Sequence, residues 1–283
     1  MRARAPASSA NLGPGFDVLA LALSLYVEVE IVPAEQFSLS SEGEGAGIAH
    51  DAEHLAVKVA VAVCGHDRLA IGVRSEIPVR RGLGSSAALA VAAAAAAGAP
   101  DPFKVAGEFE GHLENAAASF AGGLVSAAGL DSGPVVRRLP LDPGLSFVVL
   151  VPDRELATTE AREALPSEVS RTDAVFNLSR MGLLLAGLAD RRLLSADAGE
   201  DRLHQHQRAR LFPEAPELLE RLTKAGALLS CWSGAGPSLL AICDGPYAAA
   251  SVREAGEGAL ETLAVPGRAI VLCPDLKGLV VSE

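Results

Sequence analysis

Between Pro78 and Ala97 the chain runs Pro-Val-Arg-Arg-Gly-Leu-Gly-Ser-Ser-Ala-Ala-Leu-Ala-Val and then into six successive alanines. No other segment limits the fold as much. Alanine is the strongest helix former and carries only a methyl group, so a helix from Ser86 to about Ala97 has to be closely packed by its neighbours. Gly82 and Gly84 open backbone conformations that side chains forbid, so the chain turns tightly just before that helix starts. Ser85 and Ser86 then stand where hydroxyls, the free amide N–H groups of a first helical turn and the positive end of the helix dipole converge. A junction of this kind binds anions, and a polyphosphate is its natural occupant. The plainer alternative is a glycine turn with a serine cap and no ligand. The loop is not a Walker A motif, because no lysine follows Gly84 at the required spacing, and GxGxxG is not completed either.

Composition narrows the setting. The 283 residues allow one large domain or two ordinary ones, and 49% hydrophobic content excludes a disordered chain. With 35 acidic against 24 basic residues (net −11) and only 4% aromatics, the chain is a poor candidate for gripping nucleic acid. Cys64, Cys231, Cys243 and Cys273 lie far apart, with neither a CxxC pair nor metal-ligand spacing. The basic start and the apolar run Val18–Val27 imitate a secretory leader. Asp17 interrupts before that run, however, and Glu28 and Glu30 follow it without a cleavage site. The alanine run is too short to span a bilayer. The expectation is a cytoplasmic protein with no membrane partner.

Period-two alternation marks Tyr26–Val32 as a strand, with Phe37–Ser40 as its hairpin partner. A helix is expected over His54–Val63, stopped by Gly65, and a strand over Leu69–Val73. Beyond the alanine helix come a helix over Phe103–Leu113, a small-residue segment Ala116–Gly123 and a strand at Leu124–Ala128. The turn-rich connector Pro140–Gly144 suggests a boundary, giving domains 1–144 and 145–283. The second half reads as a strand from Leu145, helices over Asp173–Leu188 and Ala215–Ala225, two strands, a helix and a closing strand at Ala269–Cys273. The pattern is mixed α+β in two halves.

The segment Pro78, Val79, Arg80, Arg81, Gly82, Leu83, Gly84, Ser85, Ser86, Ala87, Ala88 resembles, at every fixed position, the ATP-binding motif of the GHMP kinases. That family is named for galactokinase, homoserine kinase, mevalonate kinase and phosphomevalonate kinase. Pro6–Asp17 resembles its first motif, and Ser233-Gly234-Ala235-Gly236-Pro237-Ser238 its third, a glycine turn that lies beside the phosphate loop. Three motifs in the right order make the resemblance global. Glu110-Gly111-His112-Leu113-Glu114-Asn115 is similar to the segment EGHPDN of the amino-acid-phosphorylating branch, departing from it at Leu113 and Glu114.

The resemblance implies an N-terminal domain like the second domain of ribosomal protein S5 and a ferredoxin-like C-terminal domain, with ATP between them. It further implies ATP as co-substrate and Mg²⁺ held by Ser86 and Glu110, with L-homoserine as acceptor. His112 and Asn115 would then meet the acceptor, with Asn11 and Asp17 at its amino and hydroxyl ends. Arg162, in a T-x-x-A-R-x-x-L-P pattern, and Arg208, in Q-x-x-R-x-x-L-x-P, would receive its carboxylate. A guanidinium suits that role because its planar fork grips both oxygens. Asn115 cannot take up a proton as a carboxylate would, so it is expected to orient the hydroxyl, with Asp17 the fallback base. His204 and His206, two apart, would face different sides of a helix and are not expected to chelate. Homodimers are common in the family, and no residue here decides that point. The alternatives are another GHMP kinase, of mevalonate or diphosphocytidyl-methylerythritol type, or a non-catalytic ATP- or amino-acid-binding regulator on the same fold.

Overall fold

The computed structural model describes residues 1–48 and 51–282. Eleven strands among them are β1 (Arg2–Ala10), β2 (Leu19–Pro33), β3 (Ser38–Gly43), β4 (Leu69–Ser75), β5 (Leu124–Leu130), β6 (Gly133–Leu139), β7 (Leu145–Pro152), β8 (Leu229–Trp232), β9 (Leu239–Asp244), β10 (Gly267–Leu272) and β11 (Val280–Ser282). The helices are α1 (Leu55–Cys64), α2 (Ser85–Ala96), α3 (Pro102–Glu110), α4 (Glu114–Ala121), α5 (Thr158–Glu163), α6 (Arg171–Ala189), α7 (Gln205–Arg208), α8 (Ala215–Lys224) and α9 (Gly245–Thr262).

The first sheet runs β11-β1-β2-β4-β3, with β5 also on β2 and β6 on β5. The alanine helix α2 lies under it against β1 and β2, flanked by α1, α3 and α4. Ala87, Ala88, Ala90, Val91 and Ala92–Ala94 are fully buried. Methyl-sized side chains let the helix approach sheet and helices at once, which is why the alanine run needs no polar face.

The second sheet runs β10-β7-β9-β8, all antiparallel, so its strands in chain order stand 4-1-3-2. That is the ferredoxin-like arrangement. Its second core joins Val148, Leu150, Phe212, Leu218, Leu222, Trp232 and Val252.

Three expectations change, and one segment given no element gains one. Residues 38–43 are not a hairpin partner of β2; β3 pairs in parallel with β4, as Leu39 opposite Ile71 shows. A parallel pair needs a crossover, and α1 supplies it. The helix expected to reach Leu113 stops at Glu110, because Gly111 adopts φ 72° and returns its N–H to Gly107. The segment 116–123 is mostly helix: α4 buries Ala116, Ala117, Ala118 and Ser119. Finally, β10 does not close the chain. Residues beyond it return to the first sheet, where Val281 of β11 faces Ala3. The half beginning at residue 145 is therefore not confined to the second sheet. Asp275 anchors this return by accepting N–H bonds from Lys277 and Gly278 and the Tyr26 hydroxyl. Among the described residues no helix is long and apolar enough to cross a membrane.

Candidate active site

The phosphate loop follows β4. Arg80, Gly82 and Gly84 all take positive φ, at 55°, 74° and 63°. Gly84 is the residue that caps α2, and no side chain bonds the first amides of that helix. The serine cap of the plainer alternative does not form; with glycine as the cap, the first backbone donors of the helix keep no side-chain partner. Both glycines are obligatory for a second reason. A Cβ on Gly82 would sit 2.2 Å from the Ser233 carbonyl oxygen, and one on Gly84 would sit 2.1 Å from Ser8 Oγ. The loop is thus held between β1 and the turn at Ser233–Ser238. Ser8 N–H donates to Leu83 O (3.0 Å), Ser233 Oγ to Gly82 O (2.7 Å) and Ser238 N–H to Arg81 O (3.2 Å).

A cavity of about 370 Å³ opens over this loop, and it gathers nearly every residue singled out from the sequence. Arg80–Ser86, Glu110, His112, Asn115, Asn11, Asp17, Arg162 and Arg208 all line it. Ala87 and Ala88 do not, because their side chains point into the core, and Pro78 lies on a neighbouring cleft instead. Arg80 and Arg81 are turned toward Glu155 (3.3 and 3.7 Å), and Arg81 also donates to Asp153 O (2.6 Å). Ser86 Oγ donates a hydrogen bond to Glu110 Oε1.

The other end of the cavity is built from charges. Asp17 and Arg162 form a two-pronged ion pair, Nη1 to Oδ2 at 2.9 Å and Nη2 to Oδ1 at 2.8 Å. That bond raises the arginine pKa above its ordinary value. Arg208, by contrast, is 2% exposed and has no ion pair among the described residues. Its guanidinium donates to His204 Nδ1 (2.9 Å) and Gly234 O (2.9 Å), both neutral, and burial lowers its pKa to about 10. Such a cation is costly without a counter-anion.

His204 explains how the cation is held. It is wholly buried, and burial lowers its pKa to about 4, so it is neutral. With Nδ1 accepting from Arg208, Nε2 carries the proton and donates to Gly13 O at 2.8 Å. Phe16 stacks on the ring at 5.1 Å. His204 is therefore no metal ligand, and no group of three or more His, Cys, Asp or Glu among the described residues could hold a metal.

Asn11, at φ 73°, is largely spent on shaping its own loop. It donates to Gly234 O (2.9 Å) and accepts from Asp17 N–H (3.0 Å). Asn115 accepts from Ser8 Oγ (2.8 Å). Sequence reasoning missed Ser8, Thr158, His204 and above all Glu114, which was read only as a departure from a pattern. Glu114 lines the cavity at 3% exposure, and burial raises its pKa.

Comparison with known proteins decides the family. The GHMP kinases N terminal domain matches residues 53–123 and the GHMP kinases C terminal region residues 184–261. A homoserine kinase of Moorella thermoacetica is 40% identical over 257 residues, covering 86% of this chain and 87% of that protein. The chain belongs to the GHMP kinase family, in its homoserine kinase branch. A Clavibacter michiganensis homoserine kinase is 38% identical and covers 99% of this chain and 93% of its own. The crystal structure of homoserine kinase from Cytophaga hutchinsonii superposes with a TM-score of 0.86 at 25% identity, over 100% of this chain and 97% of that one. Similarity to 4-(cytidine 5'-diphospho)-2C-methyl-D-erythritol kinase is 22% at a TM-score of 0.62 and concerns the fold alone. Within this family the protein is an ATP-dependent phosphotransferase.

Proposed function

We propose that the protein transfers the γ-phosphoryl group of ATP to the side-chain hydroxyl of L-homoserine, giving O-phospho-L-homoserine for threonine biosynthesis. The observation that carries this reading is Arg208, a buried guanidinium without an anion, in one cavity with uncapped helix-start amides. A carboxylate-bearing acceptor compensates the first, and a triphosphate the second. A mevalonate-type acceptor also carries a carboxylate, so the acceptor assay below separates the two readings.

The backbone donors of Gly82–Ser86 hold the phosphate tail and absorb charge as it develops on the transferring group. The apolar side of the cavity, with Ile48, Leu55, Val73, Val79 and Leu89, suits a flat base. Ser86 and Glu110, a hydroxyl and a carboxylate already in hydrogen-bond contact, are hard oxygen donors that fit Mg²⁺. The ion would supply charge neutralisation between the phosphates. Arg162 and Arg208 receive the acceptor's carboxylate, with Asn11, Asp17 and His112 around its other end. Asn115, fixed by Ser8, keeps N–H capacity to orient the hydroxyl, and catalysis then rests on positioning. The proposed domains are 1–144 for nucleotide and 145–283 for the two arginines. A cytoplasmic location completes the reading.

An assay for ADP release with L-homoserine, L-serine and mevalonate tests it. Turnover with L-homoserine at least about tenfold above the others is the expected result; ATP binding without ADP release from any of them refutes it. Asp17→Asn abolishing kcat at constant KM, with Asn115→Ala nearly silent, would transfer the hydroxyl to Asp17.

A further inference from the structure

Asp201 has a fully buried side chain and lies outside the cavity. Its two oxygens accept four N–H bonds. Oδ1 receives Asn177 Nδ2 (2.7 Å) and the Leu203 amide (2.9 Å), and Oδ2 receives the amides of His204 (2.8 Å) and Gln205 (2.7 Å). Three successive main-chain donors are thus gathered onto one carboxylate where α7 begins. Asn177, 4% exposed on α6, closes the arrangement by accepting the Arg202 N–H at 2.9 Å. Burial alone would push the Asp201 carboxyl up, but the bonds it accepts hold it below its ordinary value, so it is ionised.

A helix of four residues does not stand on its own hydrogen bonds. The residue that caps α7, His204, offers it no side-chain bond, so the start of the helix depends on Asp201. What α7 carries is the acceptor end's buried cation. His204 Nδ1 accepts from the Arg208 guanidinium (2.9 Å), and the His204 carbonyl oxygen accepts the Arg208 amide (3.0 Å). His204 Nε2 stands 3.7 Å from Asp201 Oδ2 and donates instead to Gly13 O. Gln205 ties the same turn to β8 by accepting Trp232 N–H (2.9 Å), and to Gly199 O by donating (3.0 Å). Asp201 also acts on Arg208 by charge from beyond ion-pair distance, favouring the cation.

We propose that Asp201, steadied by Asn177, is a positioning residue of the acceptor site: it fixes the first turn of α7 and the His204 ring, and so aims the Arg208 guanidinium into the cavity. The assignment rests on the functional reading above and extends it to a residue that touches no substrate. An aspartate is needed because each oxygen meets two donors. In asparagine one of those oxygens becomes an NH₂ group facing two N–H groups, whichever way the amide is turned. Glutamate would bring an extra methylene to a side chain with no exposed surface.

The KM for L-homoserine is measured in wild type, Asp201→Asn, Arg208→Met and the double variant. Asp201→Asn is expected to raise it about thirtyfold, with kcat and the KM for ATP within about threefold. Added to Arg208→Met, the same change should raise KM less than about threefold, because the group it aims is gone. Equal factors in the two backgrounds, or a matching loss toward ATP, would make Asp201 merely structural and overturn the proposal. If Asp201→Asn does not fold, Asn177→Ala, which removes one of the four bonds, goes through the same cycle. Its expected rise is about fivefold, and the same two results overturn the proposal. The ¹⁵N resonances of the His204 ring, assigned with His204→Gln, give a signature independent of turnover. Wild type should show a protonated Nε2 and an accepting Nδ1, and either variant should disturb that pattern; an unchanged pattern overturns the proposal. Normal wild-type turnover with a flat response to Asp201→Asn refutes the positioning role alone. Wild type that does not phosphorylate L-homoserine refutes the functional reading, and this inference with it.

Discussion

The phosphate end of the cavity is held by main-chain amides and two glycines, whereas the acceptor end depends on side chains brought from the loop after β1 and from α4, α5 and α7. At the first end little can rearrange, because the loop is pinned by Ser8, Ser233 and Ser238. At the second, function resides in which charge is paired with which. Two arginines of similar sequence context differ completely there. Arg162 is 39% exposed and matched by Asp17, while Arg208 is buried and unmatched. The same residue type is thus a half-exposed ion pair in one place and a buried cation without an ion pair in the other.

The contrast can be broken most forcefully at Gly82. Gly82→Ala puts a Cβ against a main-chain oxygen that cannot yield, so kcat/KM for ATP should fall about a thousandfold. A near-normal value would show that the loop's exact path is not what binds phosphate. Next in size is Arg208→Met, expected to raise the KM for L-homoserine about three-hundredfold while leaving that for ATP alone. Its Tm should not drop, since an uncompensated buried cation is removed; a fall in Tm would mark Arg208 as structural.

Acid should distinguish the two ends as well. Because His204 is held at about 4 against 6.5 for the free group, the unfolded chain takes up its proton first. This part of the stability is complete above pH 6.5 and is lost as pH falls toward 4, about a hundredfold in the unfolding constant. Denaturant titrations at several pH values should show that slope, and His204→Gln should reduce it. Arg162→Gln, at a half-exposed pair, should cost only about tenfold in the KM for L-homoserine. Smallest is Arg80→Ala. Its exposed partner Glu155 makes the pair weak, so the KM for ATP should change less than about threefold. A larger change would mean that side chains, and not amides alone, hold the phosphates.

Much of this was legible beforehand. The helix ending at Gly65, the α2 junction and the strand from Leu145 follow from local rules of capping, periodicity and glycine geometry. The partner of β3 was not, since pairing with β4 depends on α1 crossing over the sheet. Nor was α4, whose Ala116–Ser119 carry no amphipathic stripe and are helical because they fill space under β1. Within the site, Glu114 was visible only as a mismatch, and His204 only as a rejected metal ligand. Both gain meaning from burial, a property that no spacing records.

The sequence alone determined where the backbone must turn, where helix-start amides would be free, and which residue types stood ready to meet a phosphate or a carboxylate. Those outcomes depend on interactions within a few residues of each other. Only the tertiary structure decided that Asp17 closes on Arg162, that Arg208 is supported by a neutral imidazole, and that Glu114 is left with an open oxygen. The physical reason is that a charge's worth depends on its desolvation and its partner, and these are set by how distant segments pack, as the 145 residues between Asp17 and Arg162 show.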